Sequence, residues 1–189
     1  MNTKSFYDSI RLTLFNGSIS GKQFEGLEAI LNEYNVLCLN DVRKLAYILA
    51  TVYHETAKTI QPIREYGKGK GLDYGKKLKM SRKHYTVPDQ LYYGRGHVQL
   101  TWFENYQAMG KALGVDLLNN PDLMLTMDVS VKATFLGMTK GMFTGKSLSD
   151  YFTDSKTDPV NARKVINGLD SAQKIRGYYD LFYGALTLQ

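Results

Sequence analysis

Two glutamates, Glu55 and Glu65, have the residue type and the surroundings for acid–base chemistry. Glu55 follows the apolar run Leu45–Tyr53, so its carboxyl is expected at the edge of the core, where desolvation favours the protonated form. Glu65 lies ten residues later beside Arg64 and a lysine-rich segment, where positive charge favours the ionised form. One carboxylic acid and one carboxylate base are the pair that glycoside hydrolysis needs. Capping or surface roles for both residues stay open from this pattern alone.

Other kinds of catalytic site have weaker support. Three histidines are too few for an all-histidine metal site, and Lys58 stands where a zinc-protease motif starting at His54 would need its second histidine. The glycine-rich segment 67–71 has neither the preceding apolar strand nor the following Gly-Lys-Ser/Thr of a phosphate-binding loop. We therefore expect no metal and no other cofactor.

The hydrophobic pattern predicts a mostly helical scaffold for these carboxyls. The clearest helix begins at Ser20, whose hydroxyl can cap the backbone while Gln23 reaches back in a capping box. Its predicted apolar face consists of Phe24, Leu27, Ile30, Leu31 and Tyr34. A helix that begins near Asn40 or Asp41 is apolar on all sides and should be central, with His54 and Glu55 in its last turn. Later helices are predicted at Asn105–Leu113, at Val129–Met138, from Asp158-Pro159 to Asn167-Gly168, and from Ser171 onward.

The positive charge of the chain is concentrated in one segment. The sequence has 24 Lys and Arg against 18 Asp and Glu, a formal net charge of +6. Eight basic and two acidic residues lie within Arg64–Lys83, so this segment alone accounts for that net charge. The stretch Gly67–Val87 lacks apolar periodicity and is predicted to be a long irregular loop, of the kind that is often functional.

Length and composition predict one globular domain that spans residues 1–189, without a separate wall-binding domain. The charge-free run Leu45–Tyr53 is about half of the roughly 20 apolar residues that cross a bilayer. No secretory signal is evident, so synthesis in the cytoplasm is expected. The single cysteine, Cys38, lies in an apolar stretch and is predicted to be a buried, inert thiol.

Four motifs in this order resemble glycoside hydrolase family 19: His54-Glu55-Thr56, Glu65–Gly69, Tyr92–Tyr106, and Ile166-Asn167-Gly168 with Arg176 downstream. The segment Phe6–Leu31 also resembles the opening helices of the phage endolysin branch of that family. The resemblance implies a mostly α, lysozyme-like two-lobed helical domain with a small β element and a substrate cleft. It also implies inverting hydrolysis of β-1,4-linked N-acetyl amino sugars.

Carried over by position, the resemblance implies that Glu55 is the general acid, that Glu65 is the general base, and that Thr101 helps to hold the attacking water. The implied substrate-binding residues are His54, Tyr93, Gln99, Trp102, Asn105, Asn167 and Arg176. Within that set, Asn167 is implied to bind an acetamido group and Arg176 to organise the carboxylate network.

Some positions carry a second interpretation or depart from the family pattern. For Tyr92, Tyr93 and Trp102, core packing and sugar stacking both stay open. His54 is interpreted as a structural neighbour that hydrogen-bonds near Glu55. Leu169 follows Asn167-Gly168 where plant members have a further glycine, so the register of Arg176 relative to the family pattern stays open. Glu104 replaces a sugar-contacting tyrosine of the plant enzymes.

The leading functional hypothesis is a phage endolysin of the lysozyme type that hydrolyses peptidoglycan glycan strands. The alternative is a chitinase. The basic segment Arg64–Lys83 favours the anionic peptidoglycan. A lytic transglycosylase is disfavoured because it would leave Glu65 without a role. From a different class, a non-catalytic wall-binding module remains open, as does a nucleic-acid-binding arm in which Tyr66, Tyr74 and Tyr85 would stack on bases.

Under the leading hypothesis the expected partner is peptidoglycan, with no nucleic acid and no membrane insertion. We expect a monomer that is made in the host cytoplasm and acts on the cell wall in the periplasm after release. The resemblance implies a separate holin-type pore for that release.

Overall fold

The computed structural model describes residues 2–188, and this part of the chain is mostly helical with a few very short strands. The chain forms two compact units. The first unit contains the chain up to Ile60 and again from Phe135, and the second consists of Gln61–Thr134. The predicted mostly helical fold is confirmed.

The first unit is built around one buried helix. Its elements are α1 (Thr3–Thr13), α2 (Gly21–Val36), α3 (Val42–Glu55), the hairpin strands β3 (Phe152–Thr153) and β4 (Lys156–Thr157), and α6 (Ala172–Leu186). Every residue of α3 from Leu45 to Tyr53 is buried, and its main packing partner is α6. The Tyr53 ring packs edge to face on Phe182 of α6. The predicted central helix that ends in His54 and Glu55 is confirmed.

Local capping explains where helices α2 and α3 begin. Ser20 and Gln23 form a reciprocal capping box, in which the Gln23 amide donates to Ser20 Oγ at 3.3 Å and the Ser20 amide donates to Gln23 Oε1 at 2.8 Å. Asp41 caps α3 by accepting a hydrogen bond from the Arg43 amide at 3.0 Å. On the predicted apolar face of α2, Phe24 is the exception, because its side chain is largely exposed.

The second unit places a small antiparallel ribbon beside a helix. Its elements are β1 (Ile63–Arg64), β2 (Arg95–Gly96) and α4 (Phe103–Leu113), together with 3-10 turns at Asp73–Lys76 and Pro121–Leu125. Helix α5 (Met127–Lys140) begins in this unit and ends in the first. The predicted loop at 67–87 is mostly irregular, although it contains the 3-10 turn Asp73–Lys76 and an isolated bridge between Leu78 and His84.

Three local predictions need correction. Cys38 is exposed, because it follows the end of α2 in a left-handed turn with φ 49° that turns it away from the core. Helix α4 begins at Phe103 rather than at Asn105. The segment after Asp158-Pro159 forms a five-residue 3-10 helix, Asn161–Val165, rather than an α-helix. No helix within residues 2–188 is both long enough and apolar enough to cross a membrane.

Candidate active site

Glu55 is the last residue of α3 and lies at the edge of the core of the first unit. Its side chain is 17% exposed and pairs with Arg163, whose Nη1 donates to Oε1 at 2.5 Å. Arg163 is itself only 4% exposed. The position of Glu55 agrees with the sequence-based expectation, whereas its charged partner was not anticipated.

Arg163 is held from two sides. It lies on the 3-10 helix Asn161–Val165 between two buried residues, Ala162 and Val165, and its Nε donates to the carbonyl of Asp170 at 3.0 Å. Because Arg163 stands next to Lys164 in this short segment, the sequence alone does not mark it as the buried partner of Glu55. The structure thus provides a fixed guanidinium at Glu55.

Arg176, which the resemblance assigned to the carboxylate network, lies elsewhere. It is exposed on α6 and pairs with Asp180 one turn later at 3.3 Å. The buried face of α6 is formed by Ile175, Tyr179 and Phe182, and position 176 lies off that face. The contact with Glu55 belongs to Arg163, and the assignment to Arg176 is corrected.

Two further predicted residues belong to the first unit. His54 is half-buried, and its ring lies 6.4 Å from the Tyr178 ring, while the predicted hydrogen bond of its side chain near Glu55 is not formed within residues 2–188. Burial lowers the pKa of His54, so its imidazole is neutral at pH 7. Asn167 is exposed, and its backbone N–H donates to the Arg163 carbonyl at 3.0 Å, which ties it to the turn that carries Arg163.

Glu65 follows β1 in the second unit, and both of its carboxylate oxygens are held by neutral donors. The Tyr74 hydroxyl donates to Oε1 at 2.8 Å, and the Gly94 amide donates to Oε2 at 2.9 Å. The Glu65 amide in turn donates to the Gly94 carbonyl at 2.7 Å. The neighbouring Arg64 pairs with Asp122 at 2.6 Å. Orientation of Glu65 by a phenol and a backbone amide could not be recognised in the sequence.

Tyr74 is suited to its role as a donor. Burial, together with the hydrogen bond to Glu65, raises the pKa of Tyr74 far above its ordinary value. The phenol therefore stays protonated at any pH at which the protein is expected to work. Its ring also packs edge to face on Trp102, with 5.6 Å between the ring centroids.

Of the predicted residues around Trp102, one has a structural role and the others are partly exposed. Gln99 Nε2 donates to the carbonyls of Ile63 and Gly96 at 3.1 and 3.0 Å, so this side chain fastens the β1–β2 ribbon. Trp102, Thr101 and Asn105 are all half-buried and remain partly accessible to a ligand.

Tyr92 and Tyr93 are core residues. Tyr92 is fully buried among other aromatic rings, and its hydroxyl donates to the Leu118 carbonyl at 2.9 Å. Tyr93 is 6% exposed, and the Arg95 guanidinium lies 3.6 Å from its ring centroid. The predicted sugar-binding role of Tyr93 stays a prediction, since little of this residue is exposed.

The basic segment is tied down at several points. Lys77 pairs with Asp89, and Lys76 pairs with Asp73 at 3.2 Å. Glu104 accepts a hydrogen bond from the Met80 amide at 3.0 Å, so the residue that replaces the family's tyrosine holds this loop. Residues 2–188 contain no cluster of histidine, cysteine, aspartate or glutamate side chains placed to hold a metal ion.

Comparison with known proteins assigns the chain to a family. The family model of glycoside hydrolase family 19, described as chitinase class I, matches residues 39–164. The matched segment contains Glu55, Glu65 and Arg163, whereas Asn167 and Arg176 lie beyond it.

Similar curated proteins are plant chitinases and chitinase-like proteins. Endochitinase 1 of Theobroma cacao is 39% identical over 101 residues, which are 49% of this chain and 32% of that protein. Inactive chitinase-like protein 1 of Hevea brasiliensis is 48% identical over 68 residues, which are 35% of this chain and 22% of that protein. The chain thus spans a third or less of the length of these two relatives.

Solved structures share the fold over almost the whole chain. A bacterial family 19 chitinase superposes with a TM-score of 0.61 at 25% identity and covers 98% of this chain and 94% of its own. Chitinase C from Streptomyces griseus gives a TM-score of 0.62 at 25% identity, with 97% and 75% covered. The sequence match and the shared lysozyme-like helical fold agree, and this chain belongs to glycoside hydrolase family 19.

Proposed function

We propose that this chain hydrolyses β-1,4 bonds in polymers of N-acetylglucosamine, with Glu55 as the general acid and Glu65 as the general base. The observation that supports this function is the presence of both carboxyls, each oriented by its own partners, within the segment that matches the chitinase class I model. Similarity alone does not decide activity, because one relative is named an inactive chitinase-like protein. The positioned carboxyls are therefore the stronger support.

Glu55 suits the acid role through its partner. When the carboxyl gives its proton to the leaving oxygen, a negative charge develops on Glu55. The guanidinium of Arg163, fixed at 2.5 Å, stabilises that charge through a charge-assisted hydrogen bond. Asn167, tied to the same turn, is proposed to bind the acetamido group of the sugar.

Glu65 suits the base role because its carboxylate is oriented but not saturated. A carboxylate offers about four lone-pair sites, and the hydrogen bonds from Tyr74 and Gly94 use two of them. The remaining sites can accept a proton from a water that attacks the sugar. Thr101 is proposed to help hold that water, and Trp102 and Asn105 to contact the sugar.

Peptidoglycan is the second candidate substrate, as in the endolysin hypothesis. The named relatives favour chitin, since they are chitinases or chitinase-like proteins. The observation that favours peptidoglycan is the concentration of the whole net charge of +6 in Arg64–Lys83. A phage origin, action in the periplasm and dependence on a separate pore are proposals that belong to this second candidate.

Mass spectrometry of reaction products separates the candidates. Chito-oligosaccharides and purified peptidoglycan are digested in parallel by wild type, by Glu55→Gln, and by the control Glu25→Gln, which removes an exposed carboxyl of α2. We expect cleaved chito-oligosaccharides with wild type and with the control, and a loss of at least about 100-fold for Glu55→Gln, since general acid catalysis contributes about that much or more.

Other products would indicate other substrates or reactions. A reducing-end N-acetylmuramic acid would favour the second candidate, and a 1,6-anhydro end would indicate transglycosylation and contradict the role of Glu65. Full activity in a folded Glu55→Gln protein would rule out Glu55 as the acid and would favour a different chemistry.

A further inference from the structure

The second unit contains a cavity of about 870 Å³, a volume typical of sites for small organic molecules. The charged residues of its lining are Arg64, Lys68, Lys77, Asp89, Arg95 and Asp122. None of these residues has a role in the proposed hydrolysis. The cavity therefore needs its own explanation.

The cavity lies beside the β1–β2 ribbon, and Glu65 is not among the residues that line it. Arg64 and Arg95 are paired across the ribbon, and both bind Asp122, with N···O distances of 2.6 Å. Glu65 is the next residue after Arg64, and its carboxylate binds Gly94, the residue before Arg95. The two arginines line the cavity, whereas Glu65 and Gly94 are not among its lining residues. The cavity is thus distinct from the site of the candidate base.

The lining has an excess of positive charge. Four cationic and two anionic side chains contribute to it, which leaves a net charge of +2. Asp122 is shared by two guanidinium groups, and Asp89 pairs with Lys77. Lys68 is exposed and makes no ion pair within residues 2–188. An anionic group would therefore be attracted to the cavity.

One of these cations, Arg95, is held in place by the protein before any ligand binds. The Arg95 side chain is 4% exposed, its Nη1 donates to the Leu91 carbonyl at 2.9 Å, and its guanidinium lies against the Tyr93 ring. A cation held in this way loses little conformational entropy when a ligand binds. The positive potential of the cavity is thus a built feature of the unit and does not depend on its lysines alone.

The other walls suit a sugar rather than a bare ion. The side-chain amides of Asn119 and Asn120 can hydrogen-bond to hydroxyl and acetamido groups, while Leu91, Pro121 and Leu123 add apolar surface. We propose that this cavity is an accessory binding site for a carboxylate-bearing amino sugar. The guanidinium and ammonium groups bind the carboxylate, and the amides and apolar walls contact the sugar ring.

Two sugars that differ only in the lactyl group, which carries the carboxylate, provide the test. Wild-type protein labelled with ¹⁵N is titrated with N-acetylmuramic acid and, separately, with N-acetylglucosamine, which lacks the lactyl group. Neither monosaccharide contains a glycosidic bond between sugars, so binding is measured without turnover. We expect saturable shifts of the amide signals of Lys68, Arg95, Asn119 and Asn120 with N-acetylmuramic acid, and at least about fivefold weaker binding of N-acetylglucosamine at the same amides, since the difference is one charged group.

Two neighbouring lysines provide a matched pair of variants. Lys68 and Lys70 are both exposed in the same turn, but only Lys68 lines the cavity. Lys68→Met should raise the Kd for N-acetylmuramic acid about tenfold, the effect of losing one charge-assisted contact, and Lys70→Met should leave it unchanged.

Three results would overturn the proposal. These are the absence of shifts at the four amides, equal affinity for the two sugars, and equal effects of the two lysine variants. Because the readout is binding of a monosaccharide, its failure leaves the proposed hydrolysis untouched, and a failure of hydrolysis leaves this site untouched.

Discussion

At the residue scale, the most consequential contact is the ion pair between Glu55 and Arg163. The two residues are 108 positions apart, and the motif around Glu55 contains no sign of its partner. The family pattern directed attention to Arg176, whose register depends on the turn at Asn167-Gly168. Motif reading could place the carboxyl at the end of its helix, because that position follows from local periodicity. It could not find the guanidinium, because tertiary packing alone brings that group there.

A comparison of two arginine variants tests this contact. Arg163→Met removes the partner of a carboxyl that is only 17% exposed, and it should lower the free energy of unfolding by about 1–3 kcal/mol, since a buried polar group that loses its hydrogen-bond partner is costly. Arg176→Met breaks an exposed ion pair and should change the free energy of unfolding by no more than about 0.5 kcal/mol. Urea denaturation of both variants measures the difference. Equal effects would show that the Glu55–Arg163 pair is not a buried, stabilising contact.

At the element scale, the β1–β2 ribbon is the support of Glu65. Helix starts at Ser20 and Asp41 were predictable, because a cap depends on a few adjacent residues. The family resemblance implied a small β element, but the position of the ribbon was not predictable, since its strands have two residues each and it is secured by the Gln99 side chain. The exposed position of Cys38 was missed for a related reason, because the turn after α2 overrides the apolar character of its neighbours.

Gly94, which directly precedes strand β2, provides a test of the role of the ribbon. A Cβ on Gly94 would lie 2.7 Å from Gln99 Oε1 and 3.2 Å from Glu65 Cβ. Gln99 is not free to move, because its amide nitrogen is bonded to the ribbon. Gly94→Ala should therefore lower kcat about tenfold and cost about 1–3 kcal/mol of stability through overpacking.

Gly177 in α6 is the matched control. A Cβ there meets nothing within 4 Å, so Gly177→Ala should stabilise the protein by about 0.5–1 kcal/mol and leave kcat unchanged. Kinetics on a chito-oligosaccharide and thermal unfolding measure both effects. A Gly94→Ala protein with wild-type kcat would show that the ribbon does not control the position of Glu65.

At the scale of the whole molecule, buried tyrosines make stability sensitive to alkaline pH. Burial raises the pKa of Tyr53, Tyr85, Tyr92 and Tyr179 to about 12, from an ordinary value of 10.0. Above pH 10 these groups lose protons in the unfolded chain but keep them in the folded protein. The unfolded state then binds fewer protons, so the free energy of unfolding falls as the pH rises from about 10 to about 12.

The expected result is a fall in Tm of at least about 5 °C between pH 9 and pH 11, measured by circular dichroism at constant ionic strength. Most of the rise in absorbance at tyrosinate wavelengths should coincide with unfolding, because most tyrosines are at least partly buried. A constant Tm across this range, or ionisation of most tyrosines in the folded protein, would contradict the described burial.

The family and the helical fold were accessible from sequence because four motifs and strong helical periodicity act over the whole chain. The choice between chitin and peptidoglycan was not accessible in the same way, because it depends on which groups border the bound sugar. The basic segment illustrates the difficulty. Its charge suggested an anionic polymer, yet Lys76 and Lys77 pair with nearby carboxylates, which reduces the field that they present.

The most direct test of the proposed chemistry is the anomeric configuration of the first product. Wild-type protein is mixed with a hexamer of N-acetylglucosamine, and the new reducing end is followed by ¹H NMR before mutarotation is complete. If Glu55 protonates the leaving oxygen while Glu65 activates a water on the other face of the sugar, the product forms first as the α-anomer. A β-anomer as the first product, or an intact hexamer after incubation with folded protein, would contradict this mechanism.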